Sequence, residues 1–176
     1  MTKRILLAAA AVIGLLCSCT SKEASILMSK DNLGSVVMGE SYTTVPETMA
    51  PLYTKAQSYY GDMTEVWEVM CLNEDQGAVR FLCDYEQDEN LKYFILYTAG
   101  AKTQEGISLN STAKEILAAG GEECTHETDP QLPADHYILL NGLYFYFDNT
   151  EAVEDGHIKA DAKPYLVSNC QYPFFA

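Results

Sequence analysis

The dipeptide Asn141-Gly142 constrains the fold of this chain more than any other stretch, because it lies between two runs that alternate like β-strands. Asn-Gly is the preferred pair for a two-residue type I′ turn, whose twist matches that of the strands it joins. Such a turn fixes the register of residues 136–140 against residues 143–148. The sequence therefore predicts an antiparallel hairpin whose core face pairs Leu140 with Leu143, Ile138 with Phe145 and His136 with Phe147.

The same register places three tyrosines on the opposite face of this hairpin. Tyr137 pairs with Tyr146, and Leu139 pairs with Tyr144, because side chains alternate along a strand. Tyrosine buries a large area and is enriched in protein interfaces. The candidate binding residues are therefore Tyr137, Tyr144 and Tyr146. A face covered by a helix or by the other half of the chain is an equally open interpretation.

An upstream hairpin is predicted between residues 66–72 and 78–85. With its turn centred on Asp75, one face is apolar and pairs Cys71 with Val79, Val69 with Phe81, and Trp67 with Cys83. The other face carries Glu68, Arg80 and Asp84. A third strand is expected over residues 91–97, and a last strand within residues 157–167.

Two T-x-x-E patterns predict short helices, since a threonine N-cap and a glutamate three residues later form a capping box. The first runs from Thr44 to Glu47 and predicts helices at 45–50 and 51–60. The second runs from Thr112 to Glu115 and predicts a helix that ends at Gly120-Gly121.

The order of these elements predicts an α+β fold with two tandem helix-plus-antiparallel-sheet units of αβββ type, a hairpin-rich sheet and short helices on one face. The expected organisation is 1–18 signal peptide, 19–33 lipidated N-terminus and tether, 34–100 first unit, and 101–176 second unit. Residues 25–39 fit either a strand–turn–strand or an ordered tether, and residues 122–135 fit a long acidic loop. The shared element order of the halves fits either an internal repeat or a chance resemblance.

The N-terminus has the pattern of a secretory signal. Lys3 and Arg4 precede residues 5–16, which carry no charge. As a helix this run rises about 18 Å, whereas a bilayer core is about 30 Å thick. The run is too short to span a membrane and is typical of the apolar region of a signal peptide.

Leu16, Ser18 and Cys19 resemble the lipobox of bacterial lipoproteins, in which an aliphatic residue at −3 and a small residue at −1 precede an invariant cysteine. The resemblance implies cleavage before Cys19 and acylation of its sulfur and of the new amino terminus, so that lipid holds the protein on a membrane. It implies a place in the bacterial cell envelope, and Thr20 after the cysteine favours the outer membrane. A secreted protein with an unusual cleavage site is the alternative.

Residues 110–120 resemble the helix opening of the SmpA/OmlA (BamE-like) lipoproteins. Thr112, Glu115, Ile116 and Gly120 fit that family's pattern, while Asn110 and Ser111 replace its Gly-Met. The tandem helix-plus-sheet order also resembles the β-lactamase-inhibitor-protein architecture. Both resemblances imply a lipid-anchored or secreted binding module without a catalytic centre.

Charge and motif content narrow the function further. Removal of residues 1–18 takes away two of the 11 basic residues and none of the 25 acidic ones, which leaves a net charge of −16. Such a surface repels phosphate backbones, so we expect no nucleic-acid partner. No nucleophile or phosphate-loop motif is found, and we expect no cofactor. We also expect no metal site, because the consecutive ligand-type residues 124–129 rarely converge on one ion.

These features predict a lipid-anchored envelope protein that binds another protein through its tyrosines and catalyses no reaction. An envelope assembly component of BamE-like type is one alternative. An envelope hydrolase whose site cannot be recognised in the sequence is another. The four cysteines beyond Cys19 are compatible with one disulfide or none.

Cys19→Ala is expected to abolish acylation and to release the protein from membranes or stall its processing. Cys17→Ala is the matched control, because Leu16 is a poor −1 residue for Cys17, and it should leave acylation intact. Metabolic fatty-acid labelling and membrane fractionation measure both effects. A processed Cys19→Ala protein that still fractionates with membranes contradicts the lipobox interpretation.

Overall fold

The computed structural model describes residues 26–60, 67–84, 89–127 and 134–171. The lipobox, including Cys19, lies outside these ranges. The described strands are β1 (Ile26–Leu27), β2 (Asn32–Leu33), β3 (Val36–Val37), β4 (Lys55–Tyr60), β5 (Trp67–Asn73), β6 (Gln76–Asp84), β7 (Asn90–Leu96), β8 (Ala101–Lys102), β9 (Glu122–His126), β10 (Asp135–Leu140), β11 (Leu143–Phe147), β12 (Val153–Glu154), β13 (His157–Ile158) and β14 (Leu166–Ser168). A 3₁₀ turn covers Tyr42–Thr44, and helix α1 covers Ala113–Ala118. No helix in the described ranges is long and apolar enough to cross a membrane.

The predicted α+β fold class is wrong, because strands make up 48% of the structure and helices only 7%. Eight strands form one antiparallel sheet in the order β4-β5-β6-β7-β14-β11-β10-β9. The sheet runs through the predicted boundary at residue 100, since β7 of the first half pairs with β14 of the second. One short helix cannot form the predicted helical layer.

The strand order is symmetric about the β7–β14 pair. Each half contributes an outer strand, a hairpin and an inner strand, which are β4 to β7 in one half and β9, β10, β11 and β14 in the other. The symmetry is a property of the strand order alone. It does not test the internal repeat, which stays a prediction.

The predicted register of the Asn141-Gly142 hairpin is confirmed, and that of the upstream hairpin is confirmed from Glu68 to Cys71. Beyond Cys71 the upstream register shifts, so that Asn73 is opposite Gln76 and the turn is not centred on Asp75 as predicted. In the Asn141-Gly142 hairpin, His136 is opposite Phe147 and Tyr137 is opposite Tyr146, as are the other three predicted pairs. Gly142 has a φ of +81° and Asn141 a φ of +51°, the left-handed values that a type I′ turn requires. In the upstream hairpin, Val69 is opposite Phe81 and Cys71 is opposite Val79. The side chain of Trp67 lies outside the described residues.

The predicted helices over residues 45–60 are wrong. Ser41, not Thr44, is the N-cap of a single 3₁₀ turn that ends at Thr44. Residues 55–60 form the outer strand β4, which pairs with β5 from Lys55 opposite Leu72 onward. Tertiary pairing overrides a cap signal when the following segment can add a strand to a sheet.

The second capping box is confirmed. The Thr112 side chain accepts a hydrogen bond from the backbone N–H of Glu115, and a Glu115 carboxylate oxygen accepts one from the backbone N–H of Thr112 at 2.7 Å. Ala113 and Ile116 are buried, so this helix packs through one face. The predicted loop after it is wrong at residues 122–126, which form the outer strand β9, and residues 128–133 lie outside the described ranges.

The larger hydrophobic core lies on one side of the main sheet. Its sheet residues include Phe81, Phe94 and Phe145. Short elements outside the sheet cover them with residues such as Leu33 and Ile116. The sequence analysis left residues 26–37 open between a strand–turn–strand and an ordered tether. In the structure they contain β1, β2 and β3, and they contribute Met28, Leu33 and Val36 to this core.

Gly121→Ala is expected to destabilise the protein by about 1–3 kcal/mol, the cost of overpacking. A Cβ at Gly121 meets Ile138 Cγ2 at 2.6 Å and the Ile116 carbonyl oxygen at 2.9 Å. Gly77→Ala is the matched control, because a Cβ there has no neighbour within 4 Å. Urea unfolding of the two variants measures the difference. Equal stability of both variants contradicts the close packing of α1 against β10.

Candidate functional site

The second side of the main sheet carries a separate apolar cluster, which we call the tyrosine face. Its buried members all come from sheet strands and are Leu82, Tyr93, Ile95, Tyr137, Tyr146 and Leu166. Partly buried residues pack around them, namely Tyr97, Cys124, Leu139, Tyr144 and Cys170. The face is built from both halves of the chain, because β7 and β14 meet at the centre of the sheet.

The structure brings the three predicted tyrosines together on this face. The ring centroids of Tyr137 and Tyr144 are 5.5 Å apart, and those of Tyr137 and Tyr146 are 5.4 Å apart. These are tilted aromatic contacts within the favourable range. Tyr137 and Tyr146 are only 4% and 1% exposed, whereas Tyr144 is half-buried. Of the three, Tyr144 is therefore the ring that a second molecule can touch.

Burial changes the acid–base behaviour of the face. Burial raises the pKa of the Tyr146 hydroxyl above its ordinary value, and the charge of Asp135 raises it further. Burial also raises the pKa of Tyr93 to about 12. The hydroxyl of Tyr137 accepts a hydrogen bond from Gln171 Nε2 at 2.7 Å.

An ion pair lies on the same face. Arg80 Nη2 donates to Glu68 Oε2 at 2.9 Å, and Arg80 Nε donates to the other carboxylate oxygen. The Glu68 side chain is 7% exposed. The hydrogen bonds to Glu68, and then those to Tyr97, raise the pKa of Arg80. The sequence predicted Glu68 and Arg80 on one face of the upstream hairpin, and the structure places them together on the tyrosine face, beside the apolar residues Leu82 and Ile95. The side chain of Asp84, also predicted there, lies outside the described residues.

The four cysteines of the described ranges form no disulfide with one another. Cys71, Cys83, Cys124 and Cys170 are all free. Burial and then the charge of Glu122 raise the pKa of the Cys124 thiol. The Cys124 thiol donates to the Glu122 carbonyl oxygen at 3.6 Å.

The histidines take structural positions. His136 is buried at the start of β10, as predicted, with its Nδ1 3.4 Å from Thr125 Oγ1. His157 is exposed, also as predicted, and its Nδ1 is 3.6 Å from Glu123 Oε1. His126 lies in β9 opposite Asp135. Within the described ranges, no group of three His, Cys, Asp or Glu side chains is placed to hold a metal ion.

Two clefts lie on other parts of the surface. One, of about 190 Å³, lies between the 3₁₀ turn and β4 beside Tyr42, Glu47 and Ser58. The other, of about 130 Å³, is lined by Ser29, Thr103 and Asn141 among others. Both are below the roughly 300–1,000 Å³ of typical small-molecule sites. The tyrosine face is thus the stronger candidate for binding.

Sequence reasoning missed half of this face. Leu82, Tyr93 and Ile95 belong to the upstream hairpin and its third strand. The alternation of Tyr93 and Ile95 with Phe94 and Leu96 is the local signal that could have indicated two apolar faces on that strand. Nothing local indicated that β7 and β14 would join the two sets of residues.

Comparisons with known proteins identify no family. No protein-family model matches the chain, and no curated protein matches it. Among solved structures, the chain is similar to the crystal structure of the uncharacterized protein YfeY from Escherichia coli, with a TM-score of 0.47 and 11% identity over 82% of this chain and 97% of that one. A likeness this distant carries no inference about function.

The free energy of unfolding is expected to fall as pH rises above about 9. Burial raises the pKa of Cys71 from 9.0 to about 12 and that of Cys83 from 9.0 to about 11. Above pH 9 the unfolded chain ionises these thiols while the folded chain keeps them neutral, so unfolding becomes progressively more favourable until pH passes the folded values. Urea unfolding between pH 8 and pH 11 measures the slope. Cys71→Ala should reduce it, and identical slopes for variant and wild type contradict the burial of this thiol.

Proposed function

We propose that this protein is a lipid-anchored component of the bacterial cell envelope that binds another protein and catalyses no reaction. The observation that supports the proposal is the tyrosine face, an aromatic cluster on the side of the sheet opposite the larger core. The lipobox pattern at Leu16, Ser18 and Cys19 supports the anchor and an outer-membrane location.

The part of the face that a partner contacts is centred on Tyr144 and Leu139. These two residues are cross-strand partners in the β10–β11 hairpin, and both are half-buried. The buried rings of Tyr137 and Tyr146 lie against them and hold them in place. A rigid, partly buried aromatic patch is typical of the centre of a protein interface.

The charge around the patch defines the partner's chemistry. Glu122 is the cross-strand neighbour of Leu139 on β9 and is exposed. Asp135 lies on the same face of β10, two positions from Tyr137. An apolar or aromatic segment flanked by lysine or arginine complements a patch with this acidic margin.

No contact in the described ranges favours the two alternatives predicted from the sequence, the BamE-like assembly component and the hydrolase. The capped helix α1 carries the residues that resemble the assembly family, and its capping box has a local structural role in starting the helix.

The double variant Leu139→Ala/Tyr144→Ala tests the proposal. In crosslinked pull-downs of the acylated protein from its own membranes, we expect capture of the partner to fall roughly tenfold or more, because loss of a central aromatic contact costs about 2 kcal/mol. Tyr146 is left intact, since truncating a fully buried aromatic costs about 3–5 kcal/mol of stability.

Leu117→Ala is the matched control, because Leu117 is 38% exposed on α1, outside the tyrosine face. It should leave capture unchanged, and circular dichroism should show that all variants are folded. Unchanged capture by a folded double variant rules out the tyrosine face as the binding site.

A further inference from the structure

Two small two-stranded sheets, β1–β8 and β2–β3, lie beside each other at the start of the described residues, and we call them together the anchor-proximal sheet. Ile26 and Leu27 pair in parallel with Ala101 and Lys102. The backbone N–H of Gly34 donates to the Leu27 carbonyl oxygen at 2.7 Å, which connects β1 to the β2–β3 hairpin. The first described residues are therefore held in ordered pairing with two other segments.

The inner side of the anchor-proximal sheet is core, and its outer side exposes apolar residues. Met28, Leu33 and Val36 are 2% exposed or less and belong to the larger core. Leu27 and Val37 alternate with them along their strands and are 55% and 39% exposed. They are two of the four large apolar side chains that are exposed in the described ranges.

The charge on this sheet differs from that of the rest of the protein. Lys102 is the cross-strand partner of Leu27, and its exposed side chain shares the outer side. Residues 26–39 and 98–110 hold two lysines, Lys30 and Lys102, and two acids, Asp31 and Glu105. Their formal charge is therefore zero, whereas the chain after residue 18 carries −16. An anionic lipid surface repels this neutral region less than the rest of the molecule.

The length of the tether brings the same sheet close to the bilayer. Six residues separate Cys19 from Ile26 in the sequence. At no more than ~3.6 Å per residue, Ile26 stays within ~25 Å of an acylated Cys19. β1 is therefore the described strand nearest to Cys19 along the chain.

We propose that the outer side of the anchor-proximal sheet lies on the lipid leaflet that holds the anchor and contacts it through Leu27, Val37 and Lys102. The inference rests on the proposed function, because it requires acylation of Cys19. The two apolar side chains enter the headgroup region, and the lysine ammonium binds anionic headgroups. Contact of this kind fixes the orientation of the molecule on the membrane.

The test uses the full-length acylated protein reconstituted into phosphatidylcholine–phosphatidylglycerol vesicles, with and without brominated acyl chains. Leu27→Trp places a fluorophore on the outer side of the sheet, and Leu117→Trp places one on an equally aliphatic exposed site of α1. Wild type, with its single Trp67, gives the background. We expect a blue shift and bromine quenching of the added fluorescence at residue 27, no change at residue 117, and a smaller effect at residue 27 when Lys102→Glu is added.

Three results would contradict the proposed orientation. Absence of quenching at residue 27 in protein that is acylated by mass and floats with vesicles overturns the orientation and leaves the proposed anchor standing. Equal quenching at residues 27 and 117 also overturns it. A protein that lacks the acyl mass and does not float overturns the anchor and this inference together, and the mass distinguishes that case from the other two.

Discussion

The pairing of β7 with β14 is the interaction on which the described sheet depends, because it joins the strands of the first half to those of the second. β14 has three residues and shares only two registered pairs with β7. Side chains supply further bonds: Ser168 Oγ donates to the Phe94 carbonyl oxygen at 2.7 Å, and Asn169 Oδ1 accepts from the Phe94 N–H at 2.8 Å. Asn169 Nδ2 also donates to the Lys30 carbonyl oxygen. This hydrogen bond connects the β7–β14 pair, which we call the seam, to the anchor-proximal sheet.

The strand β7, at the centre of the sheet, carries apolar residues on both of its faces. Phe94, Ile95 and Leu96 are consecutive and all are buried, a pattern more typical of strands covered on both faces than of half-exposed antiparallel strands. Phe94 and Leu96 face the larger core, and Ile95 faces the tyrosine cluster. The middle of the tyrosine face is therefore structural, and Tyr144 lies at its half-buried margin.

The sequence correctly predicted those parts of the fold that depend on residues close together in the chain. The Asn141-Gly142 turn set a complete hairpin register, and Thr112 with Glu115 formed the expected capping box. The same kind of cap signal failed at Thr44, because the segment after it pairs with β5, a contact that a capping pattern cannot encode. The predicted α+β class is wrong for a related reason: residues 55–60 and 122–126 are outer strands held by pairing with other strands, and the sheet is joined by pairing between β7 and β14, whose residues are about 70 positions apart. The candidate site could likewise be predicted only in part. Alternation along the two strands placed Tyr137, Tyr144 and Tyr146 on one face. Their burial could not be predicted, because it depends on Leu82, Tyr93 and Ile95 from the other half of the chain.

The two surfaces proposed for this protein lie on opposite sides of the main sheet. The anchor-proximal sheet packs its inner side, through Met28, Leu33 and Val36, against the core on one side of the main sheet. The tyrosine face is the other side of that sheet. A molecule that rests on lipid through Leu27 and Val37 therefore turns Tyr144 and Leu139 away from the bilayer. Because Asn169 at the β7–β14 pair donates to the Lys30 carbonyl oxygen, the surface proposed to contact lipid and the surface proposed to bind a partner belong to one connected part of the fold.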